Sequence, residues 1–408
     1  MTAERRVRRW LMVAPVIAAA AACLDPVDPT DATVAAVQVT FDGANIADTV
    51  QVRGITRARA AAIASQGYDL GRTDFTYSSS NEAVAVVDAV GVVRAVSPGT
   101  ATIRATLSSG TTGEGRVVVV PSTVEYTIPV GKSPGAMAFS PDYTRLYVTI
   151  APDSLAIVDA LGYFRLSALR LGLPGTGVAA TAEAVYVTHP ASDSVSVIAT
   201  ATNTITRRIF VGAGPTGAAA TSERAFIAAR GTRRIVIVEG GQAVSGIPVN
   251  GEPREVAVSR DGRRLFATVD AGGAWRLVVA IPSSPDTLHS IALSSSPGAI
   301  ATDLSGRRVY VLLPAEARVV AFAEGTDGRY TEAGALAVGA GAGGVSARLV
   351  GEPLVVASGA PVTVFDGVTT SVSERITDVG NGHVAIRPDG VFAFIAAVGD
   401  NLLRVIGL

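Results

Sequence analysis

The stretch GKSPGAMAFSPDYTRLYVTI, Gly131 to Ile150, decides the fold of most of this chain. It holds a small-residue segment, a Pro-Asp turn and an alternating Leu-Tyr-Val-Thr-Ile run, the pattern of two β-strands joined by a tight turn. The small-residue segment recurs as GLPGTGVAA from Gly172, GAGPTGAAA from Gly212, NGEPREVAV from Asn250, SSSPGAIAT from Ser294, GAGAGGVSA from Gly339 and GNGHVAI from Gly380. Aligned on Ala138, Ala179, Ala219, Ala257, Ala301, Ser346 and Ala385, successive copies lie 38 to 45 residues apart. A period near 40 with four β-runs per copy is the signature of a β-propeller blade.

The other strands fall into the same register. Second strands read RLYVTI, AVYVTH, RAFIAA, RLFATV, RVYVLL, PLVVAS and FAFIAA, and third strands follow from SLAIVDA to LLRVIGL. The last copy reaches Leu408 after only three strands, while TVEYTIPVG, Thr123 to Gly131, is a fourth-strand sequence with no blade before it. Residues 122–408 are therefore expected to form a seven-bladed β-propeller, with the strand at 123–131 closing the last blade and leaving no open sheet edge. The cores RLYVT, AVYVT and RVYVL, with the SPD and PDG turns, resemble the YVTN-type β-propeller repeat, within a wider group that includes lactonase-like and quinoprotein-like members.

Ahead of the repeats, residues 34–121 carry short alternating runs between turn signals. VAAVQVTF opens them, Asp88 to Gly91 makes a turn, and Ala101, Ile103 and Ala105 share one face of a strand. Tyr77-Ser78-Ser79-Ser80-Asn81, Val86-Val87-Asp88 and Pro98-Gly99-Thr100-Ala101-Thr102-Ile103, in that order, resemble the bacterial Ig-like domain of group 2, which implies a β-sandwich. Tyr77 stands where that family usually has Trp. The stretch from Ile55 to Arg72 is longer and more Ala-rich than expected and is read as holding a loop excursion. The fold class is thus all-β: an Ig-like β-sandwich followed by a seven-bladed β-propeller.

The first residues form a third unit. Arg5, Arg6, Arg8 and Arg9 precede an apolar run from Trp10 to Ala22, which has the length of a signal-peptide core and is short for a membrane span. Residues 1–22 read as a signal peptide and 23–33 as a tether rich in Pro and Asp. Ala20-Ala21-Ala22-Cys23 resembles the lipobox of bacterial lipoproteins, although Ala20 stands where Leu is most common. The resemblance implies acylation of Cys23 and anchoring in the cell envelope, at the outer membrane or cell surface. Cys23 is the chain's one cysteine, so no internal disulfide is available. Loss of residues 1–22 takes the formal charge from -1 to about -4.

The formal charge of -1 for the full chain argues against a polyphosphate partner, which needs clustered Lys and Arg, so no nucleic acid is expected. The three histidines, His189, His289 and His383, fall in different repeats, with no metal-ligand spacing, nucleophile elbow or phosphate-cradling loop. Neither a catalytic set nor a metal or cofactor site is read from the sequence. A few polar residues interrupt the small-residue segments: Arg254 and Glu255, His383, and Arg348. Loops leading into first strands share a propeller face with loops between second and third strands. Arg254, Glu255, His383, His189 and Arg233 are therefore candidate ligand- or partner-binding residues at one mouth, with Asp193, Arg230, Asp270 and Asp400 beside them. The reading is a non-enzymatic binding or adhesion scaffold, membrane-tethered by its lipid, with a monomeric propeller offered to a protein or glycan. The alternative is a lactonase-like propeller hydrolase. A quinoprotein-like redox enzyme ranks last, since the chain has two tryptophans and no cofactor-clamping pattern.

Overall fold

A computed structural model describes residues 33–42, 47–51, 54–120, 124–348, 354–377, 379–397 and 399–408. The signal segment, Cys23 and all of the tether but Thr33 lie outside the described residues. The described residues form nine four-stranded sheets, with two single 3-10 turns at Pro190–Ser192 and Pro314–Glu316. The all-β expectation holds: an Ig-like sandwich is followed by a propeller.

In the sandwich, one sheet runs in the order Val34–Phe41, Ile55–Ala64, Val92–Ala95, Ala85–Val87. The other runs Ala47–Gln51, Thr112–Val120, Gly99–Leu107, Phe75–Ser79. Their inner faces bury Val37, Val39, Phe41, Ile103, Leu107 and Val117 as one core, with Tyr77 packed against it. The loop excursion expected within Ile55 to Arg72 lies at residues 65–72, after a strand that the sequence does not display. Residues Ile55–Ala64 are a strand paired antiparallel to Val34–Phe41. Thr56 and Ala58 face in while Arg57 and Arg59 face out, a period of two that the run of alanines conceals in the sequence.

The propeller comprises seven sheets, each an antiparallel meander from the axis outward. Its shape follows from the size of paired side chains. On the inner strands Ala138, Ala179, Ala219, Ala257, Ala301 and Ala385 pair with Tyr147, Tyr186, Phe226, Phe266, Tyr310 and Phe394 of the second strands. All six aromatic side chains are buried. Small residues let the inner strands converge, and large ones fill the space that widens between blades away from the axis. In the sixth blade, where Ser346 pairs with Val356, the aromatic volume sits instead on the third strand as Phe365, which is also fully buried.

The last blade is composite. Its sheet orders Val384–Ile386, Phe392–Ala397, Leu402–Gly407 and then Val124–Pro129, from the far end of the propeller sequence. Leu403 pairs with Ile128, and Arg404 with Thr127. Ile128 and Val130 are buried with Leu146, Phe394 and Leu403 in one core that spans the seam between last and first blades. Tyr126 stacks on Tyr163 with centroids 4.0 Å apart and planes 8° apart, and Tyr163 meets Phe392 edge-on. Arg387, itself buried, lies over Phe392 and donates to the Ala160 carbonyl across the same seam.

Closure by a non-covalent strand makes a specific demand on Ile128. Ile128→Ala should lower propeller stability by about 2–5 kcal/mol. Leu161→Ala, at an exposed turn of the first blade, should stay within about 0.5 kcal/mol of the parent. Urea unfolding followed by Trp275 fluorescence, in protein lacking residues 1–22, checks both; equal effects would contradict the seam.

Candidate functional site

One face of the ring gathers the loops leading into the inner strands and the loops between second and third strands. Contacts across blades fix this arrangement. The Gly214 amide donates to Asp193 Oδ1 at 2.9 Å, Ser133 N donates to Asn401 Oδ1 at 3.1 Å, and Arg230 pairs with Glu252 at 3.1 Å. Deeper in, hydroxyls tie each blade to the next: Thr188 Oγ1 donates to the Thr216 carbonyl at 2.6 Å, Thr216 Oγ1 to the Arg254 carbonyl at 2.7 Å, and Ser358 Oγ to the Gly382 carbonyl.

The position two residues before the aligned small residue forms a layer around the axis. Carbonyls of Gly177, Ala299, Gly344 and His383 all accept from second-strand amides, at 3.0, 2.9, 3.0 and 2.8 Å, which fixes their equivalence. The full layer is Ala136, Gly177, Gly217, Glu255, Ala299, Gly344 and His383. Smallness here is steric: a Cβ on Gly217 would lie 2.7 Å from the Arg254 carbonyl oxygen, and one on Gly344 would lie 2.8 Å from the Val384 nitrogen. Glu255 and His383 are the exceptions. They belong to the fourth and seventh blades, as far apart around a seven-membered ring as two blades can be.

Glu255 owes its place to a β-bulge. The pairing of Glu252–Val258 with Leu265–Asp270 shifts register between Pro253 and Val256, which turns Arg254 and Glu255 out of the regular ladder. The Glu255 amide is then held by Thr268 Oγ1 at 3.1 Å. Arg254 sits in a charge cluster, 3.2 Å from Asp270 and 3.5 Å from Glu252, with its guanidinium 5.7 Å from the centroid of the Trp275 ring. Among the described residues, Glu255 and His383 make no side-chain hydrogen bond or ion pair.

The remaining candidates separate. Arg233 is exposed and lines a polar rim cleft with Glu252, Asp270 and Arg276. Asp400 pairs with Arg404. Arg348 lies towards the opposite face, donating to the Gly390 carbonyl of the last blade. The placement of His189 at the mouth is corrected: it is buried, with Nδ1 2.9 Å from the Pro174 carbonyl and Nε2 2.8 Å from Ser196 Oγ. Both ring nitrogens are occupied, so His189 is a structural pin between a loop and two strands. His289 likewise accepts from the Tyr330 amide, far from the mouth. Among the described residues, no three His, Cys, Asp or Glu side chains come together as a metal-ligand set.

Sequence reasoning missed the other end of the channel. The inner strands of all seven blades surround a cavity of about 450 Å³ whose wall includes Met137, Phe139, Val178, Val256, Val258 and Ile386. At the face opposite Glu255, Arg260 of the fourth blade lies over the Tyr143 ring of the first, 5.3 Å from its centroid. Tyr143 has φ 65°, at a turn position where the fourth, fifth and seventh blades carry Gly262, Gly306 and Gly390. A tyrosine where the turn calls for glycine was the available sequence signal.

Residues 38–118 match the bacterial Ig-like domain (group 2) family. No curated protein matches the chain. Among solved structures, hydrazine synthase of Kuenenia stuttgartiensis is similar with a TM-score of 0.60 at 20% identity, over 68% of this chain and 96% of that one. The β-propeller domain of Cps50 (Swd1) from Myceliophteria thermophila is similar with a TM-score of 0.60 at 14% identity, over 71% of this chain and all of that one. At such identities the likeness is one of fold. An Ig-like module joined to a propeller is an architecture suited to binding.

Desolvation by the surrounding inner strands pushes the carboxyl of half-buried Glu255 up to about 7 and holds the imidazole of His383, which stays exposed, below its ordinary value. Folding therefore favours protonated Glu255. Its contribution to stability is complete below the ordinary carboxylate value and is lost as pH rises through about 7. His383 has the opposite sign, its contribution being lost as pH falls, so only a variant comparison isolates Glu255. Glu255→Gln should match the parent near pH 4 and exceed its stability by on the order of 2 kcal/mol at pH 8. Denaturant titrations across that range check it; a difference independent of pH would contradict the assignment.

Proposed function

We propose that this chain is an exported, lipid-anchored scaffold of a bacterial cell envelope, held by an acylated Cys23 and binding a protein or glycan partner through its propeller. The observation that carries the reading is the joining of a bacterial Ig-like domain to a ring with a polar, charged face. The Ig-like domain supplies a spacer, and a rigid ring offers loops fixed by contacts between blades. The N-terminal sequence supports export and lipidation through its basic start, apolar run and Ala20-Ala21-Ala22-Cys23. The aromatic second-strand cores support a YVTN-type repeat. On this reading Arg254, Arg233 and Glu252 form the outer rim that meets the partner, while Glu255 and His383 stand further in. The propeller acts as a monomer, since its own closing strand completes the last sheet.

A lactonase-like hydrolase is the second reading, favoured by one feature: a channel carboxyl that titrates near neutrality can act as a general acid or base. Turnover of lactone or phosphate-ester substrates that disappears in Glu255→Gln would establish it over the scaffold.

Two experiments test the scaffold. In a bacterial host, parent protein should sit in the membrane fraction and take up an alkyne fatty acid, while Cys23→Ser should be released and unlabelled; equal labelling would overturn lipidation. The propeller face should capture a partner from solubilised envelope, with capture falling at least about tenfold in an Arg254→Ala, Arg233→Ala double variant. Arg170→Ala, on the exposed outer strand of the first blade, should leave capture unchanged. Capture indifferent to the rim variant would overturn the assigned face.

A further inference from the structure

We infer that the propeller channel binds a primary ammonium group carried on a straight alkyl chain, with Glu255 as its counter-ion and the central cavity next to it as the seat of the chain. This deepens the binding role proposed above and rests on the Glu255 face being the one that meets ligands.

The unbonded carboxylate of Glu255 favours a cation. Arg230 and Arg254 are matched by Glu252 and Asp270, at 3.1 Å for Arg230 to Glu252 and 3.2 Å for Arg254 to Asp270. Those four charges cancel within one cluster. Glu255 stands apart from that cluster, and nothing among the described residues is bonded to its carboxylate. An anion would find Arg230 and Arg254 engaged and Arg233 out on the exposed rim, and would meet a carboxylate at Glu255. A cation would gain a partner that the protein itself does not supply.

The shape of the layer agrees. Five of the seven equivalent positions are Gly or Ala, which leaves the width of the channel to whatever the two polar residues hold. Gly217 makes room for the Glu255 carboxylate: a Cβ there would come within 2.8 Å of Oε2. Across the same layer His383, whose imidazole titrates below its ordinary value, carries ring nitrogens with no partner among the described residues. An ammonium carries three donors, so a carboxylate and a neutral imidazole suit it together.

Below this layer lies the cavity of about 450 Å³, which begins at Val256, the residue after Glu255, and whose wall mixes Met137, Val178, Val256 and Val258 with Ser140, Thr221 and Ser346. A cavity of that volume has room for a short alkyl chain. Its far end carries Arg260 stacked on Tyr143. A guanidinium there repels a second positive charge, so a monoamine is oriented with its head towards Glu255 and its tail towards the aromatic ring. Tyr143 adopts its positive φ at a position where other blades place glycine, as a residue kept for its side chain would.

Two sources share this chemistry: a free alkylamine, and a lysine side chain on a protein partner. Isothermal titration of the full chain at pH 8 with n-hexylamine, hexanol, hexanoate and Nα-acetyl-lysine N-methylamide separates them. Hexylamine should bind at least about tenfold more tightly than hexanol, and hexanoate should bind worst. Glu255→Gln, nearly isosteric and so expected to fold, should abolish the preference for hexylamine over hexanol. Competition by the lysine derivative would assign the head group to a protein partner, and its failure beside hexylamine binding would assign it to a free amine. No detectable hexylamine binding at millimolar concentration, equal binding of hexanol or hexanoate, or an unchanged preference in Glu255→Gln would each overturn the inference. Those outcomes are independent of Cys23 labelling and of the Arg254 and Arg233 capture assay, so the scaffold reading and the channel ligand stand or fall separately.

Discussion

The pairing of Val124–Pro129 with Leu402–Gly407 is the constraint on which the rest depends. Each blade has two faces to bury, and only its neighbours can bury them. An open ring would expose the faces of the first and last blades and leave an unpaired strand edge. Six blades are continuous in sequence, so the seventh must be completed from the other end of the repeat. That explains the aromatic cluster of Tyr126, Phe139, Tyr163, Phe392 and Phe394 at this seam: the junction that sequence continuity does not enforce is reinforced by packing.

Closure also explains why the channel can be read chemically. Seven inner strands brought to one axis leave room for little beyond Gly and Ala, so a larger side chain there has protein on several sides even where, as at His383, it keeps contact with solvent. An unpaired carboxyl in such surroundings holds its proton towards neutrality, and an imidazole loses its own more readily. Neither group stabilises the ring through a bond. Glu252, Asp270, Arg230 and Arg254 stand a short way outward, where they pair with one another and stay solvated. The same face therefore has a rim of paired charges beside exposed Arg233 and an unbonded carboxylate further in, and the two call for different partners.

Much of this was legible in the sequence because a repeat supplies its own alignment. Ala138 and its six counterparts mark the axis, Tyr147 and its counterparts mark the blade cores, and Glu255 and His383 stand out as odd members of a column of small residues. Period and composition say where a side chain lies along a strand but not what it touches. His189 shows the difference: its position in the repeat is that of a rim residue, yet Pro174 and Ser196 claim both its nitrogens. The strand Ile55–Ala64 stayed hidden for another reason, since alanine contrasts too weakly with its neighbours to display alternation. The pairing of Arg260 with Tyr143 joins turns of two blades on opposite sides of the axis, and no local pattern announces it.

The account turns on Glu255 being an unpaired carboxyl within the channel. Selective 13C labelling of glutamate side chains, with the Glu255 signal assigned by its loss in Glu255→Gln, allows its titration to be followed by NMR in the folded protein. The account predicts a midpoint near 7 that moves downward when n-hexylamine is added, as a bound cation stabilises the ionised form. A midpoint in the ordinary carboxylate range, unmoved by the amine, would contradict it.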